Sequence, residues 1–146
     1  MTSSRSLVAS SFVGLVALLV FTAVAVGAVT RKPNLAVTQT VVPAHLEVGS
    51  TKTINVTVKN SGTAAAALTT VKLTLSTSRA AGRTALGSAR VNALAVGRTA
   101  VVPVTVTVPE SAAMGTRYVV ACVDPGARVA ETSETDNCRA ASTHVM

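Results

Sequence analysis

The chain has 146 residues, of which 49% are hydrophobic and only 2% aromatic, with no tryptophan. Because a chain of this length suits one domain, we expect a single core of valine, leucine, isoleucine and alanine. The formal net charge is +7, and the basic residues are scattered, with no aromatic side chains placed between them to stack bases. This pattern argues against a nucleic acid partner and favours a solvated basic surface over a dedicated anion site.

The N-terminal segment is uncharged and mostly apolar from Ser6 to Thr30, and basic residues flank it on both sides. As a helix, its apolar run would be about 35 Å long, enough to cross a hydrocarbon core of about 30 Å. This length favours an uncleaved membrane anchor, whereas small residues around Ala25 and Ala28 favour a cleaved signal peptide. The two interpretations stay open, and both predict export.

Export sets the predicted domain organisation. Residues 1–30 form the leader, and residues 31–146 form one domain that is secreted or displayed on the cell surface. Membrane contact is expected only through residues 7–29, and only where the leader is retained.

Beyond the leader, the apolar residues recur with a period of two, as in half-buried strands. Ile54, Val56 and Val58 alternate with polar residues, and a second series runs from Val102 to Val108 around Pro103. Since proline cannot donate to a ladder, the second strand is predicted to lie at an edge or a bulge. The pattern predicts an all-β, immunoglobulin-like two-sheet antiparallel sandwich of about seven strands, preceded by an N-terminal hydrophobic helix, with a barrel as the alternative.

Glycines mark three predicted turns. Asn60-Ser61-Gly62 ends one strand, where glycine supplies the positive φ of a tight turn, and Gly97 and Gly126 mark later turns. Between the first two, the stretch from Thr77 to Arg90 is rich in Arg, Ala, Gly and Ser and is predicted to be a loop with at most a short edge strand. It is a candidate binding loop for an acidic surface partner because it carries three arginines: Arg79, Arg83 and Arg90.

Cys122 and Cys138 are the only cysteines, and an exported protein enters an oxidising compartment. Joined, they close a loop of 17 residues counted inclusively, which is worth about 3 kcal/mol by loop-entropy arguments. The two histidines, His45 and His144, are not near them in sequence, so a reactive thiol or a zinc site is disfavoured. A structural disulfide is therefore predicted.

Four of the six acidic residues lie between the two cysteines, with an asparagine beside them. Clustered carboxylates on a turn are ligands for Ca²⁺, but their spacing is not that of an EF-hand loop. Since Asp and Asn readily cap turns, the favoured role is side-chain hydrogen bonding that shapes the hairpin, with no metal or cofactor expected and Ca²⁺ as the alternative. The residues of this hairpin signature are Asp124, Glu131, Glu134, Asp136 and Asn137.

Four segments taken together resemble one known family. They are Pro33–Thr38 (PNLAVT), Asn55–Ala64 (NVTVKNSGTA), Ala93–Pro109 (ALAVGRTAVVPVTVTVP) and Gly115–Cys138 (GTRYVVACVDPGARVAETSETDNC). In this order and spacing they resemble CARDB, the cell-adhesion-related domain found in bacteria, over about residues 33–142. The last segment is similar to the family variant with a cysteine at each end of the hairpin. Asp136 departs from the family pattern, which usually has Asn there.

The resemblance implies an immunoglobulin-like sandwich at the cell surface and no catalysis. The sequence agrees in having no nucleophile elbow, no phosphate-binding glycine loop and too few histidines for a catalytic triad. The first hypothesis is a non-enzymatic binding or adhesion module whose partner is an unknown cell-surface protein or glycan, reached through a sheet edge or the arginine loop. The second hypothesis is a spacer or stalk domain with no specific ligand.

Overall fold

The computed structural model describes residues 27–82 and 84–146, and this part of the chain contains eight strands. The all-β prediction is confirmed, with one strand more than the seven or so expected. In chain order the strands are β1 (Leu35–Val41), β2 (His45–Leu46), β3 (Thr51–Asn60), β4 (Thr69–Ser76), β5 (Thr84–Val91), β6 (Thr99–Thr107), β7 (Gly115–Val123) and β8 (Cys138–Val145). Residues 1–26, which hold most of the predicted leader and its helix, lie outside this description. Among the residues described, no helix has the length and apolar character needed to span a bilayer.

The strands form two sheets that pack face to face. One sheet has the order β1-β3-β6, and the other has the order β2-β8-β7-β4-β5. Neighbouring strands are antiparallel, except that the two-residue β2 runs parallel to the end of β8. The sandwich interpretation is therefore right for the described residues, and the barrel alternative is wrong.

The core between the sheets is built almost entirely from aliphatic side chains. Because side chains alternate along a strand, β3 and β6 bury one face each, through Ile54, Val56, Val58, Val102, Val104 and Val106. The central strand β7 instead buries five consecutive residues, Val119–Val123. The segment after β4 returns across the outer face of this sheet, where the Gly82 N–H donates to Thr74 Oγ1 at 3.0 Å.

The Thr84–Val91 segment is a strand, so the short edge strand allowed within the predicted Thr77–Arg90 loop is confirmed, and it takes up the second half of that loop. β5 lies at the edge of the five-stranded sheet and pairs along its length with β4. It buries only Leu86 and Val91, which leaves too little apolar alternation for a sequence pattern to reveal a strand. β5 is a strand because its backbone pairs with β4, which the sequence pattern does predict.

The two sheets approach closely where β5 meets β6. A Cβ added at Gly87 would lie 2.2 Å from the carbonyl oxygen of Thr105, so a side chain there would clash with backbone. Within its own sheet β6 pairs only with β3, and Pro103 stands opposite Asn55. Pro103 therefore lies in an edge strand, as the sequence predicts.

The three predicted turn glycines differ in whether their positions need a positive φ or the absence of a side chain. Gly97 has φ +73°, in the left-handed region that favours glycine. Gly62 does not have a positive φ, so that expectation is wrong. Its side-chain position is filled by backbone, with Lys32 O only 2.5 Å from where a Cβ would stand. At the turn of Gly126, positive φ values belong instead to Asp124 (47°) and Ala127 (46°).

A buried asparagine at the end of β3 fixes the start of the sandwich. Asn60 is fully buried, and its Oδ1 accepts hydrogen bonds from the backbone N–H groups of Asn34 (3.1 Å) and Gly62 (3.0 Å). Its Nδ2 donates to the carbonyl oxygens of Ala64 and Leu94, both at 2.9 Å. Both ends of the amide are thus satisfied, and residues 33–35 are held where the loop between β7 and β8 reaches them.

Candidate functional site

The loop between β7 and β8, residues 124–137, is closed at its base by the predicted disulfide. Cys122 and Cys138 stand directly opposite each other in the two strands and are bonded. The sequence prediction of a structural disulfide is confirmed. The bond holds together the two ends of what we call the 124–137 loop.

Asp124 ties the start of this loop to the neighbouring strand β4. Only 3% of the residue is exposed, and its Oδ1 accepts a hydrogen bond from the Thr69 hydroxyl at 2.7 Å. Its Oδ2 accepts from the Val129 N–H at 2.8 Å, while its own N–H donates to Thr70 O at 2.9 Å. The carboxylate is thus held in place by neutral donors on both sides of the turn.

Glu131 ties the same loop to the other sheet. It is 6% exposed, and its Oε2 accepts a hydrogen bond from the N–H of Leu35, the first residue of β1. Its Oε1 accepts from the Asn137 side-chain amide at 3.1 Å. Burial raises the pKa of the Glu131 carboxyl above its ordinary value of 4.5. The Leu35 N–H opposes this rise, and the nearby charge of Glu134 adds to it.

One asparagine amide is shared between two glutamates. Asn137 Nδ2 donates to Glu131 Oε1 and to Glu134 Oε2, each at 3.1 Å, and the other Glu134 oxygen accepts from the Glu131 N–H at 3.2 Å. Asn137 is 6% exposed, yet its Oδ1 has no hydrogen-bond partner. A buried acceptor without a donor is uncommon enough in folded proteins to need a physical explanation.

Carboxylate oxygens of Asp124, Glu131 and Glu134 lie within 4.8 Å of one another. Four of the five residues of the hairpin signature therefore meet, since Asn137 joins these three carboxylates. Asp136 does not belong to this cluster. Its Oδ2 instead accepts a hydrogen bond from Asn34 Nδ2 at 2.8 Å. We call the group of Asp124, Glu131, Glu134 and Asn137 the carboxylate cluster.

Two arginines of the predicted arginine loop, Arg79 and Arg90, lie far apart. Arg79 lies over the ring of Tyr118, with 5.5 Å between the guanidinium carbon and the ring centroid. Arg90 is exposed in β5 opposite Thr70, near the other end of the sheet. Tyr118 pairs with Ser76 at the far end of β4, so the two arginines are about 20 Å apart at the rise of a strand. Arg83 lies outside the described residues.

The chain segment just before β1 is the part of the site that the sequence pattern does not indicate. The Ser133 N–H donates to Asn34 Oδ1 and the Thr132 N–H donates to Pro33 O, both at 2.9 Å. These partners are 99 residues apart in sequence. No local periodicity can indicate such a contact, although PNL is part of the opening segment that resembles the family.

The comparisons with known proteins agree with this structure. The CARDB family model matches residues 32–141, which is most of the chain, and the protein therefore belongs to the CARDB family. CARDB is a family of non-catalytic domains. A search among curated proteins finds no match to this chain.

Three solved structures have a similar fold. A crystal structure of the CARDB domain of the PF1109 protein from Pyrococcus furiosus, in complex with di-metal ions, is 23% identical, with a TM-score of 0.60 over 79% of this chain and 90% of that chain. The solution structure of the same domain is 22% identical, with a TM-score of 0.60 over 80% and 98%. A domain from Methanosarcina acetivorans, described provisionally as part of a cell surface protein, is 17% identical, with a TM-score of 0.60 over 79% and 93%. At these identities the likeness shows the fold.

The raised pKa of Glu131 predicts a pH dependence of stability when no divalent cation is bound. Because the folded state binds this proton more tightly than the unfolded chain, the contribution of Glu131 is most stabilising below the ordinary pKa of 4.5 and is lost as pH rises through the higher folded value. Chemical denaturation of wild type and Glu131→Gln in chelator, from about pH 4 to 7, measures the difference. We expect Glu131→Gln to become more stable relative to wild type as pH rises.

The matched control for this measurement is Glu110→Gln, which removes an exposed carboxylate outside the cluster. A glutamine at position 131 can still accept from the Leu35 N–H, and a turned Asn137 amide can accept from its Nε2. If Glu131→Gln and wild type lose or gain stability in parallel with pH, the buried-carboxylate account is wrong.

Proposed function

We propose that the protein is a non-enzymatic module that acts outside the cell and binds a surface partner with the end of the sandwich that carries the 124–137 loop. The observation that carries this proposal is the convergence of three carboxylates and a buried asparagine at that end. Membership of a non-catalytic family supports a binding role. The disulfide and the apolar N-terminal segment support an oxidising, extracytoplasmic location.

A divalent cation of the Ca²⁺ type fits the carboxylate cluster. Two oxygen ligands of one Ca²⁺, each 2.3–2.6 Å from the ion, stand at most about 5 Å apart, and the cluster oxygens lie within 4.8 Å of one another. The hydrogen-bond donors described above are all neutral: a threonine hydroxyl, an asparagine amide and backbone N–H groups. A bound dication would offset the repulsion among three carboxylates.

The Asn137 amide lies where it could supply a further oxygen ligand to a cation in the cluster. In the present arrangement Nδ2 faces Glu131 and Glu134 while Oδ1 has no donor. A half-turn of the amide would direct Oδ1 to the same place and add a neutral oxygen ligand. The Pyrococcus furiosus CARDB domain was solved with two metal ions, which supports cation binding within the family.

A cleft beside the loop is the surface that we assign to the partner. Its volume is about 440 Å³, and it lies between the start of β4 and the turn from Asp124 to Arg128. Lys72 and Arg128 are exposed in its lining, and Leu68 adds an apolar contact. These groups suit an acidic cell-surface protein or glycan. Because Asp124 belongs both to the carboxylate cluster and to the cleft, a bound cation would fix one wall of the cleft.

Ca²⁺ is expected to stabilise the folded protein. With free Ca²⁺ about 100-fold above its Kd, the free energy of unfolding should rise by about 2–3 kcal/mol, which is several degrees of melting temperature. Thermal unfolding followed by circular dichroism, in Ca²⁺ and in chelator, measures this shift. Glu134→Gln removes an exposed ligand of the cluster and should abolish most of the shift.

Asp136→Asn is the matched control, since Asp136 lies in the same loop but outside the carboxylate cluster. It should keep the Ca²⁺-dependent shift of the wild type. Equal melting temperatures in Ca²⁺ and chelator for the wild type would contradict the cation site. Equal shifts in wild type and Glu134→Gln would contradict its position.

Charge reversal in the cleft tests the binding role itself. Wild type and the double variant Lys72→Glu/Arg128→Glu are incubated in Ca²⁺ with cell-wall polysaccharide and with solubilised envelope proteins, and retained material is quantified. We expect wild type to be retained and the double variant to lose roughly tenfold or more, because two cations that face the partner become anions.

The matched control is Lys52→Glu/Arg79→Glu, which changes the net charge by the same amount at exposed positions away from the cleft, one in β3 of the other sheet and one over Tyr118 at the far end of β4. It should be retained like the wild type. If the control loses retention and the cleft variant does not, the assigned surface is wrong. If neither wild type nor variant is retained by any material, the binding hypothesis fails in favour of a spacer domain.

A further inference from the structure

The only two histidines of the chain lie side by side, although 99 positions separate them in sequence. His45 is the first residue of β2 and pairs in register with His144 of β8. Both side chains are exposed. This pairing brings together two residues whose distance in sequence argued against a shared site.

The geometry of the pair suits two imidazoles that coordinate one ion. The ring centroids are 6.1 Å apart, and the ring planes are inclined at 75°. A coordinating imidazole nitrogen lies about 2.0–2.1 Å from Zn²⁺, so two rings on one ion have centroids about 5 Å apart. A side-chain rotation that closes about 1 Å is sufficient, with no change in the backbone.

The backbone around the two histidines is already fixed. The His144 N–H donates to Ala44 O at 2.9 Å, and the Met146 N–H donates to Leu46 O at 3.0 Å. The hydroxyl of Thr143 adds a bond to Pro43 O at 2.8 Å. A pair of ligands held on a rigid backbone loses little entropy when an ion binds.

The ladder continues one step further and presents two more donor atoms. The Val48 N–H donates to Met146 O at 3.0 Å, which brings Glu47 and Met146 to the same edge. Both are exposed. Water can complete the coordination of an ion that two imidazoles hold.

We propose that His45 and His144 form a two-histidine site for a transition-metal dication of borderline softness, Zn²⁺ or Cu²⁺. Imidazole ligands suit both ions, and Cu²⁺ binds more tightly by the Irving–Williams order, whereas Ca²⁺ prefers oxygen ligands. The site is separate from the carboxylate cluster. Cys138 begins β8 beside the cluster and His144 lies near its other end, about 20 Å away at the rise of a strand.

Metal at this position would add a side-chain cross-link to a short edge strand. β2 has only two residues, and it joins the five-stranded sheet at the edge through β8 alone. An ion shared by His45 and His144 would add a link between side chains to the backbone hydrogen bonds that already hold the segment. The site would therefore strengthen the attachment of residues 42–48 when metal is bound.

Calorimetric titration of the full chain with Zn²⁺ and with Cu²⁺ tests the proposal. The protein is purified through a tag without histidine, in detergent micelles if its N-terminal apolar segment is retained. We expect one ion per chain and tighter binding of Cu²⁺. His45→Gln and His144→Gln should each weaken binding by roughly tenfold or more, because one ligand of a chelating pair is lost. The imidazole ¹⁵N resonances of both histidines should shift together in the wild type.

Glu134→Gln, which alters the carboxylate cluster, is the matched control and should bind Zn²⁺ and Cu²⁺ like the wild type. The proposal is overturned if either histidine variant binds with wild-type affinity, or if only one imidazole shifts. It is also overturned if Glu134→Gln abolishes binding while the histidine variants retain it. Preserved dispersion of the backbone amide resonances verifies that each variant is folded.

Discussion

The contact made by the Glu131 carboxylate is the one on which the end of the sandwich that carries the 124–137 loop depends. It is carried by a loop that connects two strands of one sheet, and it accepts the N–H of the residue that begins β1 in the other sheet. An N–H at a strand start needs an acceptor when it is buried, and the loop supplies one. The disulfide at the base of the loop and the bonds of Asp124 to β4 hold that carboxylate in position.

This arrangement buries carboxylates, and burial raises the free energy of their charged form. Glu131 and Asp124 are both largely withdrawn from water, and Glu134 lies against them. Neutral donors lower the free energy of the carboxylates but do not remove their mutual repulsion. Burial is the main cause of the raised pKa of Glu131, and the charges of Glu134 and Asp124 add to it. A proton or a bound divalent cation would reduce this repulsion, and either would couple the stability of the loop to the shape of the neighbouring cleft.

Much of the fold follows from local pattern, and much of the site does not. The alternation of apolar and polar residues predicts β3 and β6. Pro103 predicts that β6 lies at an edge, because proline has no backbone N–H to donate to a second neighbouring strand. The hydrophobic pattern does not reveal β5, whose residues are mostly small or polar and which is a strand because β4 pairs with it. The sequence predicts a positive φ at Gly62. Glycine is needed there for a different reason, because a side chain would clash with the backbone of residues 32–34.

For the site residues too, the sequence predicts what depends on neighbours in the chain and not what depends on distant contacts. The density of acidic residues between Cys122 and Cys138 singles out the 124–137 loop, because these residues are neighbours in sequence. Which of them converge depends on contacts made from far away, such as that of Asp136 with Asn34. The pairing of His45 with His144 is likewise produced by a parallel bridge between the two ends of the domain. Periodicity carries no information about such contacts.

A crystal structure of the protein grown in Ca²⁺ would show both whether an ion occupies the carboxylate cluster and how the Asn137 amide is oriented. We expect one ion about 2.3–2.6 Å from oxygens of Asp124, Glu131 and Glu134, with Asn137 Oδ1 turned toward it. An empty cluster in saturating Ca²⁺, with Asn137 Nδ2 still donating to both glutamates, would contradict this expectation.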